Sequence, residues 1–265
     1  MTGGTFNRGN DANYPATVSD FRLDTYEITV GRFRNFWNGY PGNMPAAGSG
    51  KNPNNANDPG WDVTWNTNTS AIPASQDGLS YQSKCDASHQ TWTAGNDNLP
   101  MNCLNWYVAQ AFCIWDGGRL PTEAEWNYAA AGGTAQRVYP WGSTAPDCTY
   151  ANILGAAGGT DFCVAPGSGA ANRVGSESPK GDGRYGHADL AGNLSEWVLD
   201  GYAEVYPTPC NNCSPSAVGA PGSIARVLRG GSFVNNAFFA VTDYRSGLYA
   251  SLLDFSFGAR CVKNR

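Results

Sequence analysis

The chain has 265 residues, a formal net charge of −5, 15% charged residues, 33 glycines and 9 tryptophans. That mixture excludes a disordered chain, leaves no basic stripe for nucleic acid, and contains no apolar run long enough to span a bilayer. A chain of this length buries a substantial core, as one large domain or two small ones.

Thr5 to Val18 reads as a strand, a turn and a second strand, and Phe21 to Thr29 alternates apolar and polar residues as a strand does. The period then changes. Val30, Phe33 and Trp37 share one helical face, with Thr29 as the N-cap. Residues 39–100 are rich in Asn, Gly, Pro, Ser and Thr and show no long periodic element. The segment is too long for a plain connection and reads as an insertion carrying Trp61, Trp65, Tyr81 and Trp92. Those aromatics either face solvent as a peptide or carbohydrate surface or fold inward as a satellite core, the commoner fate of large aromatics.

A second helix is predicted from Tyr107 to Trp115, stopped by Gly117-Gly118. A third begins after Thr122, with Glu125 as its capping-box partner. Glu123 and Glu125 look like a catalytic carboxylate pair, but acids at a helix N-terminus are stabilised by the backbone amides. We therefore assign them a structural role, paired to an arginine of Arg229-Gly-Gly-Ser232. Tyr139-Pro-Trp-Gly142 is a rigid turn. Arg173 to Ser176 and Gly181 to Gly186 are read as a strand and a turn leading into Asp189-Leu-Ala-Gly-Asn-Leu-Ser-Glu-Trp197.

That last stretch places Asp189, Asn193 and Glu196 around Gly192, which can take a positive φ. By residue type it is a polar turn with Glu196 paired to an arginine, or an oxygen-rich seat for a hard cation; acidic turns are the more common of the two. The eight cysteines form an even set. Cys85 with Cys103, Cys148 with Cys163, and Cys210 with Cys213 are local pairs that would each staple a Gly/Asn/Ser-rich loop. Free thiols in a reduced compartment are the alternative, and Cys210-Asn-Asn-Cys213 has a redox or half-zinc reading as well.

Five motifs in order, Arg119-Leu-Pro-Thr-Glu-Ala-Glu-Trp126, Tyr139-Pro-Trp-Gly142, Asp189 to Trp197, Arg226-Val-Leu-Arg-Gly-Gly-Ser-Phe233 and Phe257-Gly-Ala-Arg-Cys261, resemble the formylglycine-generating-enzyme (sulfatase-modifying-factor) domain family. The resemblance runs from Gly3 to Cys261. It implies an α+β, C-type-lectin-like fold of low regular content, one domain over 1–265 with the insertion at about 39–100. It also implies a Cys113–Cys261 disulfide. Two calcium sites come with it: Asp189, Gly192, Leu194 and Glu196 in one, Asn152, Ile153, Asp161 and Phe162 in the other, where the spacing departs from the family's.

The same resemblance locates what is missing. In the active enzymes two cysteines after Arg-Gly-Gly-Ser bind copper(I), a soft ion that selects thiolates. Here Asn235 and Ala240 stand in those positions, so no copper is expected. The family's iron-dependent branch needs a three-histidine module, and this chain has only His89 and His187. A branch related to pyoverdine maturation works without the copper pair and keeps an oxidase reading open. The face left behind, Asn235, Asn236, Phe239, Asp243, Tyr244 and Arg245 with Phe238 and Phe255 nearby, suits a groove for a peptide, protein or glycan; the phenylalanines are otherwise core. The expectation is thus a secreted or periplasmic pseudoenzyme that binds or scaffolds, self-assembly included. The chain starts abruptly at its first motif, so an export signal is expected ahead of it.

Overall fold

The computed structural model describes residues 1–67, 85–86, 88–92, 95–155, 161–164, 169–215 and 224–264. Its largest sheet has the order β7-β6-β4-β8, with β4 Ser195–Gly201, β6 Ala225–Arg229, β7 Arg245–Tyr249 and β8 Phe257–Gly258. All seven residues of β4 are buried, because Trp197 and Leu199 pack into one core cluster with Trp106 and Phe112, and Val198 into another with Trp126, Leu190 and Val262. β1 (Gly4–Asn7) runs antiparallel to β2 (Pro15–Val18), which pairs in parallel with the two-residue β5 (Cys210–Asn211). β3 (Phe21–Leu23) pairs antiparallel with β9 (Val262–Asn264).

The strand expected over Phe21 to Thr29 is only three residues long. Beyond Leu23 the chain follows the C-terminal segment through single bonds, Asp24 N–H to Cys261 O and Ile28 N–H to Ala259 O, instead of a continuous ladder. The strand expected at Arg173 to Ser176 is a turn, closed by Ser176 N–H to Arg173 O.

The three predicted helices form. α1 (Val30–Asn38) starts at Thr29, whose hydroxyl accepts Arg32 N–H at 3.3 Å. α2 (Trp106–Trp115) begins one residue early because the Asn105 side chain accepts Val108 N–H. α3 (Glu123–Ala131) has the reciprocal Thr122–Glu125 capping box and ends on Gly132 at φ +69°, a conformation that favours glycine. α1 and α2 meet through Phe33 stacked on Phe112, and Cys113–Cys261 ties α2 to the chain end beside them. The other three disulfides join Cys85 to Cys103, Cys148 to Cys163 and Cys210 to Cys213.

The described tryptophans of residues 39–100 face inward. Trp61 is buried, Trp65 meets both Trp61 and Trp106 edge-on at 5.1 and 5.2 Å, and Trp92 meets Phe33. They extend the main core, where each fully buried large side chain contributes about 1.5–3 kcal/mol. Tyr81 lies outside the described residues.

Candidate functional site

Two polar regions meet on β4 and β6. The first is the Asp189 turn. Asp189, Gly192 and Asn193 all have positive φ, and a Cβ on Gly192 would lie 2.5 Å from the Asn152 carbonyl oxygen. Only glycine permits that approach. Glu196, on β4, faces inward and is fully buried. Its oxygens accept Nε and Nη2 of Arg260 at 2.7–2.9 Å and Trp126 Nε1 at 2.8 Å. The arginine pairing expected from residue type is therefore present, and Arg260 is further held by the Ala188 carbonyl.

Glu27, which the sequence reading passed over, completes this region. It is fully buried and accepts Asn193 Nδ2 at 2.6 Å and Leu194 N–H at 3.0 Å. The only signal for it was an acid inside an apolar stretch, Tyr26-Glu27-Ile28. Three buried carboxylates, Glu27, Asp189 and Glu196, thus face one guanidinium, Arg260. Burial, then Asp189 and Glu196, pushes the Glu27 carboxyl well above its usual range. Burial pushes Asp189 up to about 7, although Gly175 N–H, bonded to its Oδ2, opposes that shift.

Fully ionised, these acids would outnumber the guanidinium by two charges, and a divalent cation would favour that ionised form. Among the described residues no three His, Cys, Asp or Glu side chains converge closely enough to hold a metal by themselves. A calcium ion here would draw on Asp189 and the Gly192 and Leu194 carbonyls, while the oxygens of Glu27 and Glu196 already accept hydrogen bonds.

The second calcium set is brought together by an isolated bridge, Leu154 to Phe162, inside the loop stapled by Cys148–Cys163. Asn152 Nδ2 donates to Ala170 O and to Asn193 Oδ1, which couples this loop to the Asp189 turn. Asn152 Oδ1 is buried without a partner. An unpaired buried oxygen costs about 1–3 kcal/mol, and a hard cation would satisfy it. Ile153 O, by contrast, accepts Cys163 N–H at 3.3 Å, and Asp161 is exposed.

The second polar region follows Arg229-Gly-Gly-Ser232. Asn235 and Tyr244 line a cavity of about 270 Å³ between β6, β7 and β8. Asn235 Oδ1 accepts both N–H and O–H of Ser232, at 3.0 and 2.8 Å, so the carboxamide presents its NH₂ as a donor. Ala240 is buried in a small cluster with Ile153 and Ala191. All eight cysteines are in disulfides, so no thiol reaches this cavity.

Tyr244 also lines an adjoining open cleft of about 490 Å³ with Phe238, Asp243 and Arg245. Phe238 is 68% exposed and, with Phe239, meets Tyr244 edge-on. Phe255 instead stacks on His89. Asn236 is exposed, its side chain accepting Phe238 N–H. Arg245 is not a free donor, because its Nε and Nη2 go to Glu123 at 2.6 and 2.9 Å. Arg245 is thus the main partner of Glu123, with Arg229 at 3.9 Å, whereas Glu125 pairs with Arg119. Both acids at the start of α3 are architectural, as expected, but mostly through arginines outside the Arg-Gly-Gly-Ser motif.

The family profile described as "Sulfatase-modifying factor enzyme 1-like domain" matches residues 1–265. The chain belongs to this family. It is 37% identical over 149 residues to the formylglycine-generating enzyme of Streptomyces coelicolor, an alignment covering 53% of this chain and 44% of that protein. It is 34% identical over 140 residues to the inactive C-alpha-formylglycine-generating enzyme 2 of Bos taurus, covering 52% and 40%. The alignments therefore span less than half the length of these curated relatives. Among solved structures, PvdO from Pseudomonas aeruginosa matches the fold with a TM-score of 0.66 at 17% identity, covering 100% of this chain and 93% of that one. The mixed helix and strand content and the long loops agree with that fold, and this chain carries four disulfides. Among the described residues no helix is long and apolar enough to cross a membrane.

Proposed function

We propose that this chain is a calcium-stabilised, extracytoplasmic member of the family that binds a peptide or glycan, and that it works without the copper-cysteine pair. The observation that carries the reading is the pair Asn235 and Ala240. One offers a hydrogen-bond donor and the other a buried methyl, and neither supplies a thiolate. Copper(I) held by two cysteines has no place to form. A bovine relative designated inactive is in keeping with a scaffold that outlives its chemistry.

The cleft favours binding. Phe238 offers an exposed ring for a sugar face or an apolar side chain and Asp243 accepts, while Asn235 NH₂ donates in the cavity that shares Tyr244 with the cleft. The Arg245–Glu123 pair holds the wall rigid, which lowers the entropy lost on binding. Four disulfides suit an oxidising compartment, and the unpaired Asn152 oxygen and the acid excess at Asp189 suit calcium.

The test has two arms. Metal analysis of purified protein is expected to find calcium and no stoichiometric copper or iron; either redox metal would favour the divergent-oxidase reading, as would conversion of a cysteine peptide to its aldehyde. A glycan and peptide array is expected to show binding that Phe238→Ala removes. An array with no ligand removed by that change would count against the groove.

A further inference from the structure

A second cavity lies away from the cleft and shares no lining residue with it. It measures about 310 Å³ and is formed where residues 58–65 of the insertion cross β4, β6 and α2. Arg226, on β6, lines it and is 7% exposed. Its guanidinium lies over the Trp106 ring, 3.8 Å from the centroid, with Trp65 at 6.0 Å. Nη1 donates to Leu199 O at 2.7 Å, while Nε is fully buried with no partner among the described residues.

Arg119, Arg245 and Arg260 are buried to a similar degree, and each meets a carboxylate. Arg226 forms no ion pair among the described residues. Its face is taken by the indole, Nη1 by a carbonyl, and Nε is shut off from the cavity, so Nη2 is the nitrogen left to a ligand. A carboxylate is the acceptor such a charged N–H binds most strongly. Gln110 lines the same cavity; its Oε1 accepts Leu120 N–H at 2.8 Å, which leaves its NH₂ as a further donor. Burial without an anion pushes the Arg226 guanidinium down to about 10, a cost that a bound carboxylate would remove.

The lining also carries two acids. Asp58 and Asp62 line the cavity, and Asp62 is exposed. A second anionic group on the ligand would be repelled by them, which disfavours dicarboxylates and phosphate esters, whereas an ammonium would be attracted. The indoles of Trp65 and Trp106 with Leu199 and Ile224 supply apolar lining.

We propose that this cavity binds a zwitterionic amino-carboxylate of amino-acid size, its carboxylate on Nη2 of Arg226 and the Gln110 NH₂ and its ammonium toward Asp58 and Asp62. The assignment stands whether or not the cleft at Phe238 binds anything, since the two have separate walls.

Isothermal titration, with tryptophan fluorescence reporting Trp65 and Trp106, tests it on four matched probes: 6-aminohexanoate, hexanoate, hexylamine and adipate. The expected order is 6-aminohexanoate, then hexanoate, then adipate, with no binding of hexylamine. Arg226→Gln, in protein shown by circular dichroism to be folded, is expected to weaken 6-aminohexanoate by at least about tenfold, the weight of a charge-assisted hydrogen bond. Wild-type protein that binds none of the four, or that prefers adipate or hexylamine, overturns the proposal, as does a folded Arg226→Gln of unchanged affinity. Because Arg226 also braces Trp106, Asp62→Asn provides a second variant at an exposed position. It is expected to shrink the preference for 6-aminohexanoate over hexanoate several-fold while sparing hexanoate; an unaltered preference overturns the zwitterion assignment.

Discussion

The Asp189 turn and the strip from Asn235 to Arg245 are both polar, glycine-adjacent stretches attached to the same sheet, yet they have opposite fates. In the turn nearly every polar group is buried and engaged: Glu196 with Arg260, Glu27 with Asn193, Asp189 with Gly175 N–H. In the strip Asn236, Phe238 and Asp243 reach solvent, and only Ala240 and Thr242 are fully buried. Burial decides what each can do. Charges in the turn are strong, costly and structural, whereas groups in the strip are cheap to hold and available to a ligand.

Removing Arg260 should separate the two regions most sharply. Arg260→Ala leaves Glu196 buried beside Glu27 and Asp189 with no counter-charge, and breaking such a pair costs about 3–5 kcal/mol. Urea unfolding is expected to show a midpoint collapse, or no folded protein. A loss under 1 kcal/mol would mean that the acids are already neutral or metal-bound, which ties this measurement to the next.

Calcium at about one hundred times its Kd is expected to stabilise the fold by about 2.7 kcal/mol, the mass-action value for a ligand that binds only the native state. Thermal melts with calcium and with chelator measure it. Asp189→Asn should abolish most of that difference; an identical shift in the variant would place the ion elsewhere.

Another buried acid probes the same physics outside the turn. Asp200, on β4, accepts Glu123 N–H at 2.7 Å, and burial followed by repulsion from Glu123 raises its pKa well above the usual carboxylate range. A group that holds its proton more tightly when folded favours the native state at low pH, and this contribution is lost as pH rises through the folded pKa. Asp200→Asn keeps an acceptor and cannot ionise. Its stability relative to the parent should therefore increase from pH 5 to pH 8, by about 1.4 kcal/mol for each unit of raised pKa that falls in that window. A flat difference would show that Asp200 is ionised without penalty.

The smallest stability effect belongs to the strip. Phe238→Ala should change the unfolding free energy by less than about 0.5 kcal/mol, as exposed substitutions do, while removing ligand binding on the array. A large destabilisation would make Phe238 part of the core and weaken the case for a groove.

Much of the local structure was legible because it rests on neighbours in the chain. Thr29 and Thr122 cap their helices, Glu125 closes its capping box, and the three local cysteine pairs join across short loops. The family motifs added Cys113–Cys261, which no spacing argument reaches. The failures share one cause. Arg173 to Ser176 has a single backbone bond to a remote segment, Val174 N–H to Asn98 O, and Phe21 to Thr29 keeps only single bonds to the C-terminal segment beyond Leu23, so neither is a full strand. Glu27 went unnoticed because its partners, Asn193 and Leu194, are more than 160 residues distant.

Residue order alone settled the family, the caps at Thr29 and Thr122 and the lack of any cysteine between Cys213 and Cys261, since each of these is a matter of which side chain stands at which position. Tertiary structure alone decided which arginine answers which acid. Arg260 goes to Glu196, Arg245 to Glu123, Arg119 to Glu125, and Arg226 is left on Trp106 with no carboxylate partner among the described residues. Charge type is written in the chain, but an ion pair needs a distance, and distances between remote segments exist only once the core has closed around them.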